Sequence, residues 1–132
     1  MRDELITHLK TLNLGTVKVS EELPFNKDGE PLYLKNFKSI YVDRPTLNQE
    51  GVINTLDGAS LVNQETIVAA YLTVDAKNQP SNMDAIVSAM RTAKGNVTTD
   101  NHINRTVSVS QQYSGDALVT VFEYRFTELL TS

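Results

Sequence analysis

Residues 65–95 read ETIVAAYLTVDAKNQPSNMDAIVSAMRTAKG and combine three consistent signals: a buried strand, a turn and an amphipathic helix. Across residues 66–74 the side chains are mostly apolar on both alternating faces of an extended chain, so neither face suits full exposure to water. One face carries Ile67, Ala69, Tyr71 and Thr73, and the other carries Val68, Ala70, Leu72 and Val74. This pattern predicts a central strand with both faces covered.

A helix is predicted after the turn-forming residues 75–80. Ser81, with Asp84 three places on, fits a capping box in which each side chain satisfies an amide of the first helical turn. Apolar side chains then recur at the spacing of one helix face: Met83, Ile86, Val87 and Met90. Small side chains that allow close approach to a sheet lie beside them: Ala85, Ala89 and Ala93. Lys94 and Gly95 predict the end of the helix, because a cation suits the negative end of its dipole and glycine can turn left-handed there.

Length and composition limit the possible domain number, function class and location of the protein. The 132 residues, of which 40% are hydrophobic, suffice for one core, so we expect a single domain over residues 1–132. The formal charge of -4 and the lack of a lysine or arginine cluster argue against wrapping duplex nucleic acid. With no cysteine, disulfides, thiolate zinc sites and cysteine nucleophiles are excluded. The charged start, MRDELITHLK, and the absence of an apolar run of about 20 residues predict neither secretion nor membrane spanning. We therefore expect a soluble intracellular protein.

The segments before residue 65 are predicted to pack around the central strand. A short amphipathic helix is predicted over residues 3–12, a strand over 16–20 and an exposed acidic loop over 21–30. Short extended runs follow at residues 32–34 and 39–42, and Arg44, which precedes a proline, closes the second run.

Residues 46–64 are polar except for a small apolar group: Val52, Ile53, Leu56, Leu61 and Val62. This group flanks Asp57-Gly58, a dipeptide suited to a type I′ turn, so a protruding β-hairpin is predicted. Such a hairpin cannot bury its apolar side chains alone, and we expect it to pack on another subunit or ring. The alternative is a hairpin folded back on its own sheet. The candidate docking and subunit-interface residues are Arg44, Ile53, Leu56, Asp57, Leu61 and Val62.

The C-terminal part predicts an antiparallel pair of strands. A polar connector at residues 96–104 leads to a strand around Val107 and Val109 with one wet face, and a turn follows at Ser114-Gly115-Asp116. The last strand places its core side chains on one face: Leu118, Thr120, Phe122, Tyr124 and Phe126. We expect Phe122, Tyr124 and Tyr71 to meet the apolar stripe of the helix in one cluster. The predicted fold class is α/β (α+β): a mixed, mainly antiparallel sheet flanked by two helices, with a protruding β-hairpin.

Chemistry-bearing motifs are sparse, and no catalytic, cofactor-binding or metal site is predicted. His8 lies among the leucines of the first helix and reads as a histidine at the rim of the core, since only His102 could join it in a histidine metal site. Asn26, Asp28 and Glu30 form an ordinary turn, because the later ligand positions and flanking helices of a calcium loop are missing. No phosphate loop or nucleophile motif occurs, and carboxylate pairs lie in solvated segments. We expect a non-enzyme without cofactors.

Three segments and their order carry a family resemblance. They are Ile40-Tyr41-Val42 after an acidic, proline-bearing loop, the stretch TIVAAYLTV at residues 66–74 leading through a proline turn into the helix at 83–92, and DALVTVFEY at residues 116–124. In these segments the chain resembles, over nearly its whole length, the tail terminator proteins of long-tailed bacteriophages, also called minor tail protein U or tail completion proteins.

The resemblance implies a sheet flanked by helices and assembly into a hexameric ring. That ring would dock on the end of the tail tube, stop its polymerisation and present a surface to the head. The implied partners are further copies of the chain, the tail tube protein and a head completion or connector protein, while genomic DNA passes through without specific binding and no membrane is involved. The implied location is the tail or neck of the virion, after synthesis in the host cytoplasm.

Two other functions stay open. One is another head-to-tail joining protein of the neck. The other is a small cytosolic ligand-binding α/β domain with a cleft beside the loop after Val74.

Overall fold

The computed structural model describes residues 2–54, 60–93 and 102–131. Its helices are α1 (Arg2–Lys10) and α2 (Met83–Thr92), with a short 3₁₀ helix at Leu32–Leu34. Its strands are β1 (Lys18–Val19), β2 (Ser39–Val42), β3 (Thr46–Asn54), β4 (Ser60–Asp75), β5 (His102–Ser114) and β6 (Ala117–Thr131). The protein therefore has an α+β fold, as predicted.

The strands form one six-stranded sheet in the order β1-β2-β4-β6-β5, and β3 pairs with β4 beyond the end of β2. Among the strand pairs in the described part of the chain, only β1–β2 is parallel. The predicted central strand is confirmed, because β4 pairs with β6 along residues 61–75 and with β2 and β3 on its other side. This strand starts at Ser60, earlier than predicted, because the second strand of the predicted hairpin runs directly into it.

Both helices pack on the same face of the sheet. The even-numbered residues of β4 and β6 point to this face, which we call the helix face, and Phe122, Tyr124 and Phe126 are fully buried there. From α1 the buried side chains are Leu5, Ile6 and Leu9, and from α2 they are Met83, Ile86 and Met90, with Val87 half-buried beside them. The predicted packing of the α2 stripe against the aromatic side chains of β6 is confirmed. At about 1.5–3 kcal/mol for each large apolar side chain removed from water, this cluster is the main source of stability.

Tyr71 does not join this cluster, so that part of the prediction is wrong. It lies on the opposite face of β4, where its ring stacks on Tyr33 at a centroid distance of 4.5 Å and meets Phe25 edge-on at 5.9 Å. A second, smaller cluster of Tyr33, Tyr41, Ala117 and Val119 covers this end of the face. Because side chains alternate along a strand, Tyr71 and the buried Leu72 must point to opposite faces.

The predicted extended run at residues 32–34 is also wrong, because this segment is the 3₁₀ helix. The backbone N–H groups of Leu32 and Tyr33 both donate to the Pro24 carbonyl, and Lys35 N–H donates to Leu32. This tight turn brings Tyr33 over Tyr71. The strand predicted over residues 16–20 is likewise reduced to Lys18–Val19.

The capping box at Ser81 and Asp84 is not formed. The N-cap of α2 is Asn82, which makes no side-chain capping bond, and Met83 N–H donates instead to the Pro80 carbonyl at 3.1 Å. The Asn82 amide lies against Gly15, where φ is +64° and an added Cβ would be 3.1 Å from its Nδ2. The Asn82 side chain therefore contacts the turn after α1 and leaves the helix amides to a backbone turn. The predicted stop at Lys94 and Gly95 lies outside the described residues.

The C-terminal hairpin agrees with the prediction. Ser114 and Ala117 are paired across a two-residue turn, and Gly115 supplies φ of +59° at its first position, where a type II′ turn requires glycine. Along β5, Val107 and Val109 are half-buried, whereas Thr106, Ser108 and Ser110 are exposed. The wet face of this strand is therefore confirmed.

Candidate interaction surface

The predicted hairpin exists, and it extends the sheet in its own plane. Its pairing runs from Thr46 opposite Ile67 to Asn54 opposite Ser60, with a bulge between Glu50 and Val52. Residues 61–67 of β4 pair at the same time with residues 125–131 of β6. We call β3 together with residues 60–67 of β4 the hairpin arm. The β6 pairing shows that the arm is an end of the central sheet, and it is neither a detached hairpin nor one folded back over a sheet face.

The structure brings together some of the candidate docking residues. Ile53 lies directly opposite Leu61 near the end of the arm, and the next rung pairs Val52 with Val62. Arg44 lies at the other end, exposed in the short link between β2 and β3. Thr46 and Ile53 are seven positions apart along β3, a distance of roughly 20 Å, so Arg44 does not share a site with the apolar rungs. Leu56 and Asp57 lie outside the described residues.

The base of the arm carries an apolar side chain that the candidate set missed. Leu47 lies opposite Thr66, and therefore on the helix face, yet it is 62% exposed while Thr66 is buried. Cover by the helices thus stops at the level of Thr66 on this edge of the sheet. A sequence signal for Leu47 was available, because it is an isolated large apolar residue in a polar strand end.

A shallow groove lies at the opposite edge of the helix face, between α2 and β5. Its volume is about 600 Å³, and Met83, Val87, Val109 and Leu118 form its apolar floor. Tyr113 stands at its rim and is 72% exposed. The groove also reaches Gln79 in the loop after β4, where the ligand-binding alternative expected a cleft.

The other face of the sheet, away from the helices, is polar beyond the tyrosine cluster. Arg125 donates to Glu65 at 3.2 Å and to Glu123 at 3.1 Å. These ion pairs are partly exposed, so each is worth only about 0–1 kcal/mol. Burial, followed by the charges of Asp43 and Glu123, raises the pKa of Tyr71, which keeps its phenol neutral. This surface is therefore suited to polar contacts.

Chemical candidates inside the described part of the chain are few. No group of three or more histidine, cysteine, aspartate or glutamate side chains that could hold a metal ion occurs there. His8 lies at the edge of the leucine core, and its Nε2 is buried without a hydrogen-bond partner. Within the same residues neither helix is long and apolar enough to cross a membrane.

One buried polar contact was invisible in the sequence. The Tyr124 hydroxyl donates to the Met90 carbonyl at 2.6 Å, which fastens the last turn of α2 to β6. Burial strongly raises the pKa of Tyr124, so this donor keeps its proton.

Comparison of the chain with models of known protein families and with curated protein sequences finds no match.

Proposed function

We propose that the protein is a structural subunit of a bacteriophage tail, one that forms a ring on the end of the tail tube, stops its growth and offers a surface for head attachment. The observation that carries this proposal is the hairpin arm. Leu47 at the base of the arm lies on the helix face, yet it is 62% exposed. A large apolar side chain left uncovered on a sheet face gains stability when a neighbouring protein covers it.

Three further features support an assembly role over catalysis. The described surface offers extended sheet edges and a polar sheet face, which are means of contact between proteins. The charged side chains at the groove, Asp84 and Arg91, lie on the exposed side of α2 and do not form a buried cluster of titratable groups. The formal charge of -4 also suits a ring that DNA crosses without sticking.

The decisive experiment shortens the arm along its observed register. Replacing residues 51–62 by Asn-Gly joins the paired residues Glu50 and Asn63 through a two-residue turn. We expect the melting temperature to stay within a few degrees, because the helix-face core is untouched, and capping of tail tubes to be lost. A matched control replaces Gly115-Asp116 by Asn-Gly at the other hairpin and should cap normally. If the shortened protein caps tubes as well as the control, the arm is not the docking element.

Negative-stain images of the protein alone, mixed with tail tubes and mixed with isolated heads from the same virus test the ring itself. Rings on tube ends would support the proposal. Rings bound only to isolated heads would favour the neck-protein alternative, and images without rings in any mixture would refute the proposal.

The ligand-binding alternative has one observation in its favour, the groove between α2 and β5. It predicts that a small molecule raises the melting temperature of the wild type, and that Val87→Arg, which fills the groove, abolishes this effect. Under the structural proposal a screen of small metabolites gives no such shift.

A further inference from the structure

Two strand edges of the sheet are open, and they lie on opposite sides. No described strand pairs with the outer edge of β5 or with the outer edge of β3, whereas β1 covers the outer edge of β2. Residues 106–114 of β5 read TVSVSQQYS and contain neither charge nor proline. Soluble proteins usually protect long edge strands with such residues. An unprotected edge of this length is suited to pairing with a further strand.

The strand directions identify a fitting partner. In the order β3, β4, β6, β5 each strand is antiparallel to the next, so β3 and β5 run in opposite directions. Placing a second copy of the chain beside the first therefore sets its β3 antiparallel to β5 and continues the sheet. This contact joins two different patches, which is the kind of contact that builds a closed ring.

The position of β1 determines the register. Lys18 pairs with Ser39, which lies opposite Thr73, so β1 occupies the outer side of the sheet at that level. If the second copy were placed at the same level along the strands, its β1 would collide with β5 of the first copy. Sliding the copies by eight residues avoids the collision and places the nine residues of β3, Thr46–Asn54, against the eight residues 107–114 of β5, because the bulge after Glu50 takes up one residue of β3. Because eight is even, each strand keeps its helix-face positions on the helix face.

In this register Leu47 of one copy lies opposite Tyr113 of the next. Both occupy helix-face positions, since Leu47 pairs with Thr66 and Tyr113 with Leu118. Both are well exposed, at 62% and 72%. The groove beside Tyr113, with Val87 and Val109, supplies an apolar seat for the incoming leucine.

We propose that β5 and the adjoining groove form the docking site for β3 of a second copy, with Leu47 seated against Tyr113. This inference rests on the proposed ring and names the contact that builds it. Each such contact joins the sheet of one subunit to the sheet of the next. The hairpin arm then serves the ring contact along its β3 edge, while its tip stays available for the tail tube.

Disulfide trapping tests the contact, because the chain has no cysteine of its own. Opposed residues of antiparallel strands have Cα atoms about 4.5–5.5 Å apart, within the range that a disulfide spans. Oxidation of the double variant Leu47→Cys with Tyr113→Cys should convert the monomer band on a non-reducing gel into a ladder that ends at the ring size. The single variants should give no ladder, nor should Leu47→Cys combined with Ser88→Cys, which places the second thiol on the exposed side of α2.

Assembly of the uncrosslinked protein provides a second measurement. Tyr113→Lys should raise the protein concentration needed for half-assembly at least about tenfold, and Ser88→Lys on the exposed side of α2 should leave it unchanged. Both trapping and assembly are measured with and without tail tubes. If wild-type rings form but the double variant does not crosslink, the edge contact is refuted while the ring stands. If the wild type remains monomeric in both conditions, the ring and the edge contact both fail.

Discussion

Removing the Tyr124 hydroxyl should weaken the fold through a single lost hydrogen bond. Tyr124 is fully buried, and its hydroxyl donates to the Met90 carbonyl at 2.6 Å in the last turn of α2. Carbonyls in this part of a helix lose their regular N–H partners and depend on other donors. Tyr124→Phe keeps the ring, which stacks near Phe122 at 6.3 Å, and removes only the donor.

The expected cost is about 1–3 kcal/mol, the usual range when a buried acceptor loses its partner. For a domain of this size, about 4 °C of melting temperature corresponds to 1 kcal/mol, so the midpoint should fall by roughly 4–12 °C. Urea unfolding followed by circular dichroism gives the free energy directly. The matched control is Tyr113→Phe, the same chemical change on a side chain that is 72% exposed, and it should cost less than about 0.5 kcal/mol. Equal stabilities of the two variants would refute the structural role of the hydroxyl.

Three further predictions concern stability. Ile86→Ala should lower the unfolding free energy, measured in urea, by about 2–5 kcal/mol, because Ile86 is 1% exposed. Val87 is half-buried, so Val87→Ala should lower it clearly less. An unchanged urea midpoint for Ile86→Ala would contradict the packing of α2. Burial raises the pKa of Tyr124, so the unfolded chain loses this proton first as the pH rises. The unfolding free energy of the wild type should therefore fall above about pH 10, by up to about 1.4 kcal/mol per pH unit for this group. The difference in unfolding free energy between wild type and Tyr124→Phe should narrow between about pH 9 and pH 11, and a constant difference would contradict the burial. A double-mutant cycle of Tyr33→Ala and Tyr71→Ala should give a coupling of about 0.5–1.5 kcal/mol from their stacked rings, whereas Tyr33 and Tyr113 should show none.

Local periodicity alone determined several elements. The alternation from Leu118 to Phe126 specified which face of β6 is buried, and the spacing of Met83, Ile86 and Met90 specified the buried stripe of α2. The dipeptide Gly115-Asp116 located the C-terminal turn. Each of these features depends on residues a few positions apart, so each can be read from the sequence without knowing the partners.

Only the tertiary structure decided which surfaces meet. Both faces of β4 are apolar, so its sequence does not say which face receives the helices, and Tyr71 was assigned to the wrong one. The Asn82 side chain lies against Gly15, nearly 70 residues away in the chain, and α2 begins without the predicted capping box. Leu47 and Tyr113 read as isolated apolar residues in polar strands, and their shared face follows from pairings through β4 and β6. These outcomes depend on contacts between distant segments, which local sequence patterns do not encode.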